Sequence, residues 1–247
     1  MCPTLKIGPL RLDTYYPLIA LAFVVFLLLA RRRAAHLGRP VGWVTAACCW
    51  AFVGGMVGAY AGYFAFYWDY YRQFPEEIWK LHKAGMASST GYPLALLTLF
   101  HYMRRSRRSF WPMLDLLIPP GALGEAIARV GCFLSGCCAG VASSLPWAVI
   151  FPGETVRRHP TQLYESAAML LLFLYLKGLE RRNPRAGVVS FTAFICYGAL
   201  RILLDPLRLD SRPGPLGVAW DPWVGIVVMA WGILGLWRIR CTRSSSA

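Results

Sequence analysis

Three short segments of this chain hold side chains that could do chemistry on an otherwise apolar background. The first, ARVGCFLSGCCAG (residues 128–140), sets Arg129 and three cysteines, Cys132, Cys137 and Cys138, among small residues. The second, RRHPTQLYES (157–166), carries His159, Gln162, Tyr164 and Glu165, and the third, YGALRILLDPLR (197–208), carries Tyr197, Arg201 and Asp205. A guanidinium is a planar fork that binds two phosphate oxygens at once, so Arg129 and Arg201 suit an anionic headgroup. His159 can take or give a proton, and Gln162, Tyr164 and Tyr197 can orient a ligand by hydrogen bonding. The thiols read differently. Cys137 and Cys138 are adjacent, which is awkward for one tetrahedral metal, and no Cys-x-x-Cys pair is present. Cys132 and Cys137 are five residues apart, off the three- or four-residue repeat of one helix face. The arginines are therefore the expected working groups, no metal is expected at the thiols, and the cysteines read as small apolar residues.

The elements that must position these groups are membrane helices. Of the 247 residues, 57% are hydrophobic and 15% charged, too little charge to cover the surface of a soluble domain this size. The apolar residues come in runs long enough to span a bilayer. Seven are expected, over about 15–30, 42–67, 84–102, 113–138, 161–179, 187–205 and 220–237. The expectation is an all-α integral membrane protein, one polytopic domain over residues 1–247. The fourth run holds IPPGALGEAIARVGC, and a broken or kinked helix lining a polar cavity is expected there. In GGMVGAYAG, Gly54, Gly58 and Gly62 recur every fourth residue, which permits close helix packing.

The net charge of +14 is distributed for a membrane rather than for nucleic acid. Arg31, Arg32, Arg33 and Arg39, then Arg104, Arg105, Arg107 and Arg108, then Lys177, Arg181, Arg182 and Arg185, and finally Arg238, Arg240 and Arg243 fall on one side of the seven-span scheme. The other side has Lys6, Arg11, Arg72, Lys80, Lys83, Arg157, Arg158, Arg208 and Arg212, with Asp13, Asp69, Glu76, Glu77 and Glu154 among them. The positive-inside rule puts the N-terminus outside and the C-terminus in the cytoplasm, with the basic clusters against anionic lipid. The first run is followed by ARRRAA without a small-residue cleavage site, so it reads as a retained helix.

In this topology Arg129, with Glu125 one turn earlier, falls in the outer half of the fourth span. His159, Gln162, Tyr164 and Glu165 open the fifth, and Tyr197, Arg201 and Asp205 close the sixth. Ser88, Ser89 and Thr90 of AGMASSTG open the third. Ionisable residues at membrane depth mark functional paths, although Arg201 and Asp205 also have the i,i+4 spacing of a structural ion pair. Thr161 is placed to cap the fifth helix. On spacing alone the site is phospholipid-handling and faces outward, and an enzyme and a lipid carrier remain equally consistent with it.

The three segments, in this order and frame, resemble the motif regions of the bacterial prolipoprotein diacylglyceryl transferase family, with weaker likeness along nearly the whole chain. The resemblance implies transfer of diacylglycerol from phosphatidylglycerol to the lipobox cysteine of a preprolipoprotein in the cytoplasmic (inner) membrane. It implies phosphate-binding roles for Arg129 and Arg201 and a proton-transfer or orienting role for His159. Gln162, Tyr164 and Glu165 match the HPxQLYE element, Tyr197 the tyrosine before the second arginine, Gly140 the glycine closing the signature, and Tyr16 a tyrosine opening the first span. The chain departs from the family at Ser89, where better-known members have a histidine. Neither His82 nor His101 replaces it on helical spacing. Cys132, Ser135 and Cys137 stand where amides and a carboxylate are frequent, and Asp205 stands where glutamate is more usual. A paralogous transferase with another acceptor and a non-catalytic lipid carrier are the alternatives.

Overall fold

A computed structural model describes residues 4–7, 10–79, 86–209 and 220–244. His82, Lys80, Lys83, Arg212 and the first two residues of the expected third span lie outside them. The protein is all-α. A short antiparallel pair, β1 (Thr4–Ile7) and β2 (Leu10–Asp13), precedes helices α1 (Tyr15–His36), α2 (Val41–Phe66) and α3 (Trp68–Gln73). After a 3-10 turn at Pro75–Trp79 come α4 (Ser88–Arg105) and α5 (Phe110–Ser135). The two-residue strands β3 (Val149–Ile150) and β4 (Arg157–Arg158) lead to α6 (Thr161–Glu180), α7 (Val188–Leu204) and α8 (Trp220–Ser244).

Each of the seven apolar runs corresponds to one long helix, with ends shifted by a few residues. Four stretches, Val41–Phe66, Phe110–Ser135, Val188–Leu207 and Pro222–Thr242, are long and apolar enough to cross a membrane. Helix α5 is continuous through Pro119 and Pro120, so the chain does not break at the proline pair. The irregular backbone begins after Ser135 instead, where Gly136 and Cys138 take φ of 82° and 59°. A glycine accepts the left-handed turn that ends a helix without steric cost; a cysteine there costs about 1–2 kcal/mol.

The chain forms two compact units, Arg31–Phe110 and Met1–Ala30 with Trp111–Ala247. In the smaller unit α2 packs on α4 through the spaced glycines. A Cβ at Gly54 would lie 2.4 Å from Thr98 Oγ1, and one at Gly62 would lie 1.9 Å from Thr90 Oγ1. Only a glycine stripe lets the two backbones come this close. Trp43 stacks on Tyr102 and donates to Ser106 Oγ at 3.2 Å.

In the larger unit the core is built from α5, α6 and α7: Ala122, Ala126, Met169, Leu172, Leu176, Val189 and Ala193 pack together. Small residues on α5 let the larger α6 side chains in. Asp115 on α5 caps α7, accepting from the backbone N–H of Gly187 (2.5 Å) and of Ser190 (2.8 Å) and from Ser190 Oγ (2.5 Å). It satisfies donors that a helix start leaves open. Gly198 and Gly225 bring α7 and α8 into backbone contact, since a Cβ on Gly198 would meet Gly225 O at 2.4 Å. The Asp115 cap holds the starts of α5 and α7 together, and the polar residues gather at the opposite ends of these two helices.

Candidate active site

Glu165, one turn into α6, is the hub of a buried charge cluster. Arg129 Nε lies 2.7 Å from Glu165 Oε2 and 2.8 Å from Glu125 Oε1, one turn earlier on α5. Arg201 Nη1 lies 3.6 Å from Glu165 Oε1, and its Nη2 lies 2.9 Å from Asp205 Oδ1. Arg208, just beyond the 3-10 turn Asp205–Leu207, donates to Glu165 Oε1 at 3.1 Å. Arg129, Arg201, Glu165 and Asp205 are all buried. Three guanidiniums thus face three carboxylates. Isolated charges buried in a low-dielectric interior are prohibitively costly, and mutual neutralisation is what lets them stay ionised there. The i,i+4 pair Arg201–Asp205 does form, and it is one edge of the larger network.

A small cavity opens onto this cluster, lined by Glu125, Arg129, Glu165, Met169, Tyr197, Leu200 and Arg201. Its volume of about 10 Å³ holds one water, so a lipid headgroup must widen it on entry. In the first turn of α6, one turn before Glu165, Gln162 is 1% exposed. Its Nε2 donates to the carbonyl of Cys137 at 2.6 Å, while Oε1 has no partner among the described residues. A buried acceptor left open this way is suited to a ligand hydroxyl.

The backbone after Cys138 stitches the three motif segments together. Gly140 N–H donates to His159 O (3.0 Å) and His159 N–H to Val141 O (3.1 Å). On the other edge Val141 N–H donates to Leu207 O (2.8 Å) and Leu209 N–H to Ala139 O (3.1 Å). Residues 139–142 therefore run as an extended segment between the His159 and Arg208 segments. A Cβ at Gly140 would lie 2.6 Å from His159 Cβ and 2.8 Å from Leu207 O. The glycine is there for close backbone approach. Thr161 does not cap α6: its Oγ1 donates across to Cys138 O at 3.0 Å.

His159 lies outside the cavity lining. Its Nδ1 is 3.3 Å from the hydroxyl of Tyr164, which accepts from Trp147 Nε1 at 2.7 Å. This chain orients the imidazole. Tyr16 turns its ring outward, 39% exposed. The neighbouring Tyr15 is half-buried and meets the Tyr16 ring edge-on, with centroids 5.6 Å apart. Ser89 sits half-buried in the first turn of α4, in the smaller unit. Arg129, Arg201, Tyr197, Glu165 and, through its i,i+4 pair, Asp205 are thus brought together, with Gln162, Gly140, Tyr164 and His159 on the connected segments. Three residues of this network are not legible as site residues in the sequence: Glu125 reads only as an acid at membrane depth, Arg208 as a connector charge, and Trp147 carries no signal. The sequence signal for Arg208 is its spacing, about one helical turn beyond Asp205 and two beyond Arg201.

A family model for prolipoprotein diacylglyceryl transferase matches residues 3–238. The phosphatidylglycerol–prolipoprotein diacylglyceryl transferase of Synechococcus elongatus is 34% identical over 98% of this chain and 89% of its own length. The proteins of the same name from an Azoarcus species and from Methylibium petroleiphilum are each 33% identical, over 92% and 96% of this chain and 87% and 95% of theirs. The match covers all three segments that build the charge cluster, and the chain belongs to the prolipoprotein diacylglyceryl transferase family.

Proposed function

We propose that this enzyme transfers the diacylglyceryl group of phosphatidylglycerol to the lipobox cysteine of a prolipoprotein. The thiolate sulfur attacks the diacylglyceryl carbon that bears the phosphate ester. A C–S bond forms, the C–O bond breaks, and glycerol phosphate leaves with the bonding pair. Charge grows on the leaving phosphate, and the guanidiniums gathered at the site stabilise it. The observation that carries the reading is the convergence of Arg129 and Arg201 on one carboxylate, Glu165, which holds both forks at a common point. Gln162 Oε1 is available to a hydroxyl of the glycerol headgroup. With the Nδ1 proton of His159 donated to Tyr164, Nε2 is the acceptor for the thiol proton. Phosphatidylglycerol carries the transferred group itself, so neither a metal nor another cofactor is needed for this step, and nucleic acid is no partner.

The seven long helices support a single polytopic domain of seven spans in the inner membrane, with N-terminus outside and C-terminus cytoplasmic. Pro119 and Pro120 favour a bend in the fourth span, since each removes a helical hydrogen bond. The basic ends of α1, α4 and α8 favour the cytoplasm, which leaves the charge cluster toward the outer leaflet.

Membranes containing the enzyme, given phosphatidylglycerol and a lipobox peptide, should add one diacylglyceryl mass to the peptide. Arg129→Ala and Arg201→Ala should lower the rate by about 10²–10³-fold. A peptide whose mass never shifts with folded enzyme would sink the proposal. Ser89, in place of the histidine of better-known members, favours a second reading, a related transferase with another acceptor. That enzyme would fail to rescue a bacterium depleted of its own transferase.

A further inference from the structure

The transfer step proposed above uses none of Cys132, Cys137 and Cys138, and helical spacing would keep them apart. The chain does not continue as a helix, however. It ends at Ser135, reverses through Gly136 and Cys138 in the left-handed region, and the N–H of Cys137 closes on Cys132 O at 3.1 Å. This reversal folds Cys137 and Cys138 back over the end of α5. The three sulfur atoms then lie within 4.8 Å of one another, the one such group of cysteine, histidine or acidic side chains among the described residues.

We propose that Cys132, Cys137 and Cys138 form a three-thiolate site for a soft, thiophilic metal cation of the Cu(I) or Zn(II) class. The donor set is all sulfur, which selects soft cations over magnesium, calcium or manganese. Metal–sulfur bonds of about 2.3 Å put bound sulfurs about 4 Å apart, so the cluster closes on a cation with only a small contraction. Cys132 is buried, Cys138 half-buried and Cys137 exposed, which gives the cation an entry path and leaves a fourth position open. Cys138 also occupies a left-handed conformation that a glycine would adopt without strain. The carbonyls of Cys137 and Cys138 accept from Gln162 and Thr161. A bound cation would therefore stiffen the loop that holds Gln162, one turn before Glu165.

The test uses the full chain, purified in detergent, stripped by chelator and kept reduced and anaerobic. It is titrated with Cu(I) alone and, separately, with Zn(II) alone against a chromophoric competitor. Retention of about one equivalent of either ion per chain is expected, with a sulfur-only coordination shell by X-ray absorption. Cys137→Ser, at an exposed loop position that leaves the fold intact, should weaken retention by ~100-fold or more, whereas Cys49→Ser on α2 should not. Retention of neither ion would overturn the proposal. So would equal retention by the two variants, or mass spectrometry showing these thiols paired as a disulfide in the isolated protein.

Discussion

Arg129 and Arg108 carry the same head group in opposite surroundings. Arg108 is exposed in a run of arginines after α4, with its guanidinium 4.4 Å above the Trp43 ring, and Arg104 lies similarly over Phe100 at 5.7 Å. No acid interrupts that run. Arg129 is buried against Glu125 and Glu165. Exposed arginines need no protein counterion, because water and anionic lipid screen them, so they accumulate and supply the chain's positive charge. Buried arginines must each be matched by a carboxylate. The net charge of +14 therefore describes the connectors, while the site, with Arg129, Arg201 and Arg208 facing Glu125, Glu165 and Asp205, is close to neutral. A phosphate entering the site joins a balanced network and competes with Glu165 for the same forks.

Breaking the hub should have the largest effect. Glu165→Ala leaves three guanidiniums facing one another without their shared partner and should cost about 3–5 kcal/mol, read as a fall in the thermal unfolding midpoint in detergent. Glu165→Gln keeps the volume and should lose less stability, yet still release the arginines and reduce transfer to the peptide. If both variants are as stable as wild type, the buried pairs do not hold this region together. Gly140→Ala comes next. Its Cβ has no room between His159 and Leu207, and overpacking should cost about 1–3 kcal/mol and lower activity by displacing two motif segments at once.

Tyr164→Phe removes the hydroxyl between Trp147 and His159. It should cost about 1 kcal/mol in stability but slow transfer by about 10-fold if His159 orientation matters to proton transfer. Unchanged turnover would take His159 out of the reaction. The smallest effect belongs to the other side of the comparison. Arg108→Ala loses an exposed cation–π contact of about 0.5–1 kcal/mol and should leave transfer at the wild-type rate. A collapse of activity there would mean that the exposed arginines also serve the site.

Much of the fold was legible because its signals are local. Each apolar run became one helix, and the Gly54, Gly58, Gly62 stripe packs α2 on α4 as its spacing indicates. The site was legible in part: Arg129, Arg201, Gln162 and Glu165 could be picked out as polar residues in apolar surroundings. Glu165 as a hub, and Arg208 as its third partner, could not, since Glu165 and Arg208 lie 43 residues apart and one looked like an ordinary connector charge. The meeting of the three thiols was not legible for a related reason: helical periodicity ceases to place side chains after Ser135, where the chain turns left-handed.

The sequence by itself determined the medium, the helices and the family, because hydrophobic run length, glycine spacing and short motifs are written along the chain. Tertiary structure alone decided which charges neutralise which, that Gly140 threads between the His159 and Arg208 segments, and that three sulfurs meet at the end of α5. Those outcomes depend on distances between residues far apart in sequence or across a reversed turn, and no periodicity along the chain encodes them.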